Sequence, residues 1–177
     1  MRRVLLMTAV CCVLATPVMA AGGVDLYATY GEVVEGENDF GLGVRLDFGG
    51  VHWRFDAAAT AFGEVDDVSI GATVDDSISV RAYDLGLRYV FKDGHALRPY
   101  LGGGVSYLTA NATYAAVDSA FGAYGMAGFR YGKKPGINFM AEVIYRMADA
   151  DATASLTETH SIDLGGLALQ VGISFVY

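Results

Sequence analysis

The side chains that could carry out nucleophilic catalysis are few, and most of them lie in one late stretch of the sequence, TETHSID. This stretch contains Glu158, His160, Ser161 and Asp163. A serine, a histidine and an acid within hydrogen-bond reach of one another can cleave or transfer acyl groups. Polar residues between apolar segments are also the ordinary composition of a solvated loop. We therefore assign no catalytic residues and interpret this stretch as part of a connection.

The sequence also contains few histidine or cysteine residues that could bind a metal ion or act as a reactive thiol. The two cysteines, Cys11 and Cys12, lie close to the N-terminus, while His52 is interpreted as a satisfied interior residue and His95 as a solvated turn residue. Acidic residues crowd three of the predicted connections and could attract Ca²⁺ or Mg²⁺, but none of these connections has the ligand spacing of a known calcium motif. The sequence therefore predicts no metal site and no cofactor.

Residues 1–20, MRRVLLMTAVCCVLATPVMA, have the layout of a cleaved secretory signal peptide. Two arginines precede an apolar run from Val4 to Ala15, and a small-residue site ends at Ala20. Residues 21–177 then form the mature domain, which contains no cysteine. Loss of the two arginines leaves 20 acidic residues against 10 basic ones and changes the formal net charge from -8 to -10. Nucleic acid is therefore not expected as a partner.

Strict alternation of apolar and polar residues organises the rest of the chain. In DFGLGVRLDF, from Asp39 to Phe48, every second residue is large and apolar, which suits a strand and not a helix. Most of the segments are close to the 9 to 11 residues that a tilted strand needs to cross a bilayer. Eight such segments follow one another, at residues 24–30, 39–48, 51–62, 83–91, 97–109, 121–131, 137–147 and 167–177.

Short and long connections alternate between these segments. Residues 49–50, 92–95 and 132–136 form short turns, whereas residues 31–38, 63–78, 110–120 and 148–164 form longer connections. This alternation is typical of up-and-down barrels in the outer membrane, with short periplasmic turns and long extracellular loops. Just before the fourth segment, Ile78 and Val80 are out of phase with Tyr83, which predicts either a bulge near Ala82 or a rim position for Arg81.

The polar face of the strands decides between a soluble and a membrane barrel. A soluble barrel would place its apolar residues inside, whereas here six arginines and five carboxylates share the face opposite to the continuous apolar one. Such charges can fill a narrow interior as ion pairs while the apolar face meets lipid. We therefore predict an all-β fold, a closed antiparallel eight-stranded up-and-down transmembrane barrel. Its predicted interior charge network comprises Asp25, Arg45, Asp47, Arg54, Asp56, Asp84, Arg88, Arg98, Arg130, Glu142 and Arg146.

The signal peptide, the eight strands, the stretch RPYLGGGVSY and the ending QVGISFVY resemble the small outer-membrane barrels of Gram-negative bacteria, which include OmpA-like, OmpX-like and opacity-type transmembrane domains. The resemblance implies a monomer exported to the cell outer membrane, in contact with outer-membrane lipid and lipopolysaccharide. It also implies periplasmic chaperones and the barrel-assembly machinery as partners during biogenesis. The family's C-terminal assembly signal corresponds to Gln170, Gly172, Phe175 and Tyr177. No periplasmic peptidoglycan-binding domain is expected.

Three functions remain open from the sequence. The first is a non-enzymatic structural or surface-interaction role with a charge-plugged interior. The second is a narrow porin-like channel, because inward glycines remove side-chain volume; these glycines alternatively make room for arginines and tyrosines. The third is a lipid-A-modifying enzyme, which some barrels of this size are, although TETHSID lacks the His-x-Ser spacing of the deacylase family. The first function is the preferred hypothesis.

Overall fold

A computed structural model describes residues 21–34, 36–69, 75–112, 116–155 and 158–177. The predicted signal peptide, residues 1–20, lies outside these ranges and remains a prediction. Among the described residues, no helix is long and apolar enough to cross a membrane.

The described ranges contain eight long strands and one short one. The short strand, β6, has two residues and pairs with β8. The strands are β1 (Ala21–Val34), β2 (Glu37–Gly49), β3 (Trp53–Ser69), β4 (Asp75–Val90), β5 (Leu97–Ala112), β6 (Ala116–Val117), β7 (Ala120–Gly132), β8 (Gly136–Ser155) and β9 (Glu158–Val176).

The eight long strands close into a single barrel. Each pairs antiparallel with the next long strand along the chain, and β9 pairs with both β8 and β1. The last residue takes part in the closure, since the Tyr177 amide donates to the carbonyl of Gly22 at 3.1 Å. No lipid-facing edge is left along this seam, as a bilayer requires. The predicted eight-stranded fold is confirmed.

The strands extend further at one end than the hydropathy pattern predicts. The regions 63–78 and 148–164, which were predicted to be connections, are mostly strand. β3 continues to Ser69, and β8 pairs with β9 as far as Ser155↔Glu158. The connections at 31–38 and 110–120 are shortened in the same way. Backbone hydrogen bonds continue past the lipid boundary, where neither face has to be apolar.

Aromatic side chains gather near both boundaries of the outward apolar face. Near the end with the short turns, the rings of Trp53 and Phe91 lie 5.0 and 4.9 Å from that of Tyr89. Near the other end, the Tyr107 ring lies 4.6 Å from that of Phe121. Such girdles are typical of strands that cross an outer membrane.

The predicted bulge is not in β4, but an irregularity lies opposite the predicted place, in β3. Ile78, Val80 and Ala82 are all buried in the interior, in phase with Asp84, and β4 pairs with β5 without any register shift. The register between β3 and β4 shifts between Ala61 and Glu64, where β3 has the extra residue. The change of phase between Val80 and Tyr83 instead marks the place where the interior surface becomes apolar, at the end of the barrel opposite to the short turns. Arg81 is exposed on the outward face, at the upper boundary of the apolar band, which agrees with the alternative of a rim position.

Candidate functional site

The interior of the barrel is the candidate functional site. All of its predicted charged residues point inward, and none is more than 3% exposed. Alternation alone places them there, because each strand turns every second side chain towards the lumen. A buried charge is tolerated when it is paired and hydrogen-bonded, so the partners of each residue determine what this site can do.

The centre of the interior is an ion pair between Arg45 on β2 and Glu142 on β8. Two parallel hydrogen bonds join them, Arg45 Nη1 to Glu142 Oε2 at 2.6 Å and Arg45 Nη2 to Glu142 Oε1 at 2.5 Å. The Tyr100 hydroxyl donates to the same carboxylate at 2.7 Å, and the Gln170 Oε1 atom accepts from Arg45 at 3.1 Å. Because β2 and β8 are not neighbours in the sheet, this pair bridges the lumen.

A second group of charges fills the end with the short turns. Arg130 Nη2 donates to both carboxylate oxygens of Asp25, at 2.9 and 2.7 Å, and to Asp47 Oδ1. Asp47 also accepts from Arg54 Nη1 at 2.9 Å, and Arg54 reaches Asp93 at the rim at 3.2 Å. The shared carboxylates join four strands and one turn into a single electrostatic network.

Arg88 connects this group to the central pair. Its Nε and Nη2 atoms donate to Asp56 at 3.0 and 2.7 Å, and Nη2 lies 3.9 Å from Asp25. The guanidinium also lies over the ring of Tyr100, 4.4 Å from its centroid, in a cation–π contact. The Arg88 Nη1 atom has no hydrogen-bond partner among the described residues.

Arg146 and Asp84 form a separate pair. Arg146 Nη2 donates to Asp84 Oδ2 at 2.7 Å, and the Ser106 hydroxyl donates to Asp84 Oδ1. This pair joins β8 to β4, which are also not neighbours. It therefore adds a second charged bridge across the lumen.

Arg98 differs from the other five arginines. It donates to the carbonyls of His95 and Gly132 at 3.0 and 3.2 Å and to Asn138 Oδ1 at 2.6 Å. None of the described carboxylates lies within ion-pair distance. The expectation of arginine–carboxylate pairing is therefore wrong for Arg98, because this residue lies at the rim, where turn carbonyls are within reach.

Several interior residues were not assigned to the network from the sequence. Tyr27, Thr60, Tyr100 and Asn138 all make buried side-chain hydrogen bonds; the Tyr27 and Thr60 hydroxyls lie 2.8 Å apart. These residues alternate in phase with the predicted interior charges, and this is the sequence feature that could have placed them inside the barrel. Alternation gives the face on which a side chain lies, but not which partner it meets across the lumen.

The end of the interior opposite to the short turns contains apolar residues in place of charges. There, buried aliphatic side chains from six of the long strands, β1, β4, β5, β7, β8 and β9, pack into one cluster. This change was not predicted from the sequence, because the whole inward face was expected to be polar. The cluster comprises Val33, Val34, Ile78, Val80, Ala82, Leu108, Ala110, Ala120, Ala148, Ala150 and Leu164.

Inward glycines leave space that larger side chains occupy. A side chain at Gly43 would collide with the ring of Tyr27, and one at Gly86 would collide with the Tyr124 hydroxyl. Both tyrosines are buried. At these two positions the glycines therefore accommodate tyrosines, one of the two roles considered from the sequence.

The β1–β9 seam of the wall is irregular near the end with the apolar cluster. Pairing between β1 and β9 is interrupted between Gly31 and Val34, and β9 has one extra residue there. Gly165 and Gly166 have φ angles of +127° and +116°, a region that favours glycine. A notch of about 370 Å³ opens at this place beside Glu32. Its lining includes outward-facing Tyr145 and Met147 and inward-facing Ala148 and Leu164.

The histidines and the TETHSID stretch do not form a described catalytic group. His52 is exposed at the rim, where its Nδ1 atom lies 2.9 Å from the carbonyl of Val90, so its predicted interior position is wrong. The side chains of Glu158, His160 and Ser161 lie outside the described part. Within that part, no cluster of three or more His, Cys, Asp or Glu residues is arranged to hold a metal ion.

The four residues of the predicted assembly signal lie on both faces of β9 and at its end. Gln170 points inward to Arg45, and Gly172 packs closely against Tyr27. Phe175 and Tyr177 are exposed on the outward face. The motif therefore contributes both to the interior and to the aromatic girdle, and its role in assembly remains a proposal.

A protein-family model described as the outer membrane protein beta-barrel domain matches residues 4–175 of the chain. The chain belongs to this family. The predicted family resemblance is thereby confirmed, and the protein is an outer-membrane β-barrel protein. A search of curated proteins finds no match.

Solved structures of outer-membrane proteins share the fold. OprG from Pseudomonas aeruginosa is 19% identical with a TM-score of 0.71, and the match covers 89% of this chain and 96% of OprG. Outer Membrane Protein W from E. coli is 15% identical with a TM-score of 0.60, covering 92% and 100%. Neisserial surface protein A is 14% identical with a TM-score of 0.60, covering 89% and 97%. Identities this low establish the shared barrel alone.

Proposed function

We propose that this protein is a non-enzymatic outer-membrane barrel with a charge-plugged interior and a structural or surface-interaction role. The observation that carries the proposal is the bidentate pair between Arg45 and Glu142, which bridges the lumen and is almost fully buried. Eight strands enclose a space just wide enough for side chains, and paired charges fill one half of it. The Arg146–Asp84 pair adds a second bridge.

The apolar cluster supports the same proposal at the opposite end. Ile78 and Val80 are fully buried, and Leu108 is 1% exposed. A dry aliphatic section is a barrier to ions because an ion there would lose its hydration without a compensating partner. An ion crossing the barrel would therefore have to disrupt two differently built barriers in series.

The projecting strand ends support a role at the cell surface. The β8–β9 ladder continues for several residue pairs beyond Asp149↔Asp163 and ends at Ser155↔Glu158. These residues lie beyond the outward apolar face, at the end that is extracellular in this class of barrel. A paired hairpin presents a defined surface to a partner at a smaller cost in conformational entropy than a free loop.

Biogenesis and environment follow from the same proposal. We propose that residues 1–20 direct export, and that Gln170, Gly172, Phe175 and Tyr177 are recognised by the barrel-assembly machinery after delivery by periplasmic chaperones. The barrel then functions as a monomer surrounded by outer-membrane lipid and lipopolysaccharide in a Gram-negative bacterium.

The first test is single-channel conductance of the refolded protein in a planar bilayer, after its fold is verified by heat-shifted mobility on a gel. We expect the wild-type protein to be silent. The double variant Arg45→Ser with Glu142→Ser removes the central bridge without leaving a lone charge, and it should show openings. Lys133→Ser, an exposed turn residue, serves as the control and should stay silent. Steady openings of the wild-type protein would contradict the proposal that the interior is plugged.

A narrow channel is the second candidate function. It is favoured by the notch between β1 and β9 and by interior polar atoms, among them Gln170 Nε2 and Arg130 Nε, that have no hydrogen-bond partner among the described residues. Such atoms are suited to contact with water. If the wild-type protein conducts, and if removing Arg130 or Gln170 changes the conductance while Lys133→Ser does not, this second function replaces the first.

The non-enzymatic part of the proposal has its own measurement. Mass spectrometry of lipid A from cells with and without the protein should give the same acyl profile. A profile that loses or gains an acyl chain only when the protein is present would make it an enzyme, whatever its conductance.

A further inference from the structure

The outward face of the barrel contains a groove that the charge-plug function does not use. Ala59 and Ala61 of β3 lie between larger side chains of β2 and β4, so the wall is recessed along β3. The groove has a volume of about 240 Å³ and is open to the surroundings along its length. Its lining includes Leu42, Val44, Ala59, Ala61, Arg81 and Tyr83.

A single cation stands at the upper end of this groove. Arg81 is exposed and faces outward, and it has no ion-pair or hydrogen-bond partner among the described side chains. Other charged side chains near this boundary include Glu32, Asp149 and Asp163, which are acidic and line the notch beside β9. The groove therefore combines an apolar floor with one positive charge that has no partner among the described side chains.

The position of Arg81 along the barrel axis matches the level of lipid head groups. Phe91, at the opposite boundary of the apolar face, is ten residues further along the chain and directly follows the end of β4. With a rise of about 3.3 Å per residue and a tilt near 40°, the two residues are roughly 25 Å apart along the axis, which is the height of the apolar band in such barrels. An arginine at this depth lies at the interface and not in the hydrocarbon.

The neighbouring aromatic residues frame the same place. The Tyr83 ring lies 6.4 Å from that of Tyr107 on one side, and Phe40 on the other side lies 4.5 Å from Tyr30. The outward residues of β3 between them are alanines. The aromatic girdle is thus interrupted where the groove lies, which leaves room for an alkyl chain against the wall.

We propose that this groove binds one phosphorylated lipid of the outer leaflet, with an acyl chain along Ala59 and Ala61 and a phosphate on Arg81. The apolar walls match the chain, and the planar guanidinium of arginine matches phosphate oxygens in both charge and geometry. Lipid A, with its phosphates at the head-group level and saturated chains below, has this chemistry.

The test is native mass spectrometry of the refolded, gel-verified protein titrated with bisphosphorylated lipid A, and separately with the same lipid after phosphate removal. We expect one retained lipid A molecule on the wild-type protein. Arg81→Gln should weaken its binding about tenfold, since a charge-assisted hydrogen bond is lost. Dephosphorylated lipid should bind the wild-type protein as weakly as lipid A binds this variant.

Three further variants distinguish binding in the groove from non-specific lipid contact around the barrel. Ala59→Phe fills the groove and should weaken binding, whereas Ala123→Phe adds the same ring to an exposed position on β7 and should not. Lys133→Gln removes a distant charge and should also bind like the wild-type protein. Binding by Arg81→Gln within twofold of wild type, equal losses for the two phenylalanine variants, or a protein dimer in place of the lipid adduct would each overturn the proposal.

Discussion

The two ends of the barrel interior are filled by different physical means. Towards the short turns, arginines and carboxylates such as Arg130 and Asp25 form ion pairs that are almost fully buried. Towards the projecting strand ends, Ile78, Val80 and Leu108 pack as an aliphatic cluster. The side chains of both sections are buried. In the charged section each group depends on specific, often shared, partners, whereas in the apolar section the summed volume of the side chains matters most.

This difference predicts how the two sections respond to the loss of one side chain. A buried charge that loses its partner keeps its full desolvation cost, so the loss exceeds the net contribution of the pair. An aliphatic residue that is shortened loses contacts and leaves a cavity, and its neighbours can relax to fill part of it. The charged section should therefore be the more sensitive to single substitutions and the more responsive to paired ones.

The largest effect is expected for Glu142→Ala. The substitution leaves Arg45 buried without a carboxylate and removes the acceptor of the Tyr100 hydroxyl. We expect a loss of about 3 to 5 kcal/mol in the free energy of unfolding, measured by urea denaturation in lipid vesicles. Glu37→Ala, which removes an exposed carboxylate of β2, is the matched control and should change stability by less than about 0.5 kcal/mol.

A paired substitution sharpens the same experiment. Arg45→Met combined with Glu142→Leu replaces the ion pair by apolar side chains of similar length, and it should be more stable than Glu142→Ala alone. Should the double variant instead lose as much as the two single variants together, the pair would not act as a unit, and the contrast between the two sections would fail.

An intermediate effect is expected for Leu108→Ala in the apolar section. Leu108 is 1% exposed, and its truncation should cost about 2 to 4 kcal/mol by lost burial and a residual cavity. Leu85→Ala, on the lipid-facing side of β4, removes the same atoms without leaving a closed cavity and should cost clearly less. Equal losses for these two leucines in the vesicle assay would show that the cluster is not tightly packed.

The smallest effect is expected at the rim, for Lys134→Ala. The Lys134 ammonium lies 3.0 Å from the Asp93 carboxylate, and the lysine side chain is 21% exposed. Water and salt screen such a pair, so the loss should be about 0 to 1 kcal/mol and should decrease further in high salt. A loss above about 2 kcal/mol in the free energy of unfolding that does not depend on salt would show that the Lys134–Asp93 pair belongs to the buried network.

Much of this architecture could be predicted from period-2 alternation, because lipid on one side and a narrow lumen on the other impose opposite polarity on successive residues. Arg45 and Glu142 were assigned to the interior for this reason. Their partnership could not be predicted, since it depends on barrel stagger, which the hydropathy pattern does not record. The same pattern failed at Ile78 and Val80, where the inward face becomes apolar, and at His52, where a strand begins two residues later than predicted.

The interior ion pairs also have a consequence for the order in which the barrel forms. Arg45 and Glu142 are 97 residues apart in the sequence, and Arg130 and Asp25 are 105 apart. Neither pair can form until the strands that contain both partners have come together. A partly assembled sheet would carry unpaired charges into the bilayer, so we expect insertion and closure to be concerted. Contacts over such long separations also favour slow folding, and the final closure of β9 on β1 is the step most suited to be rate-limiting.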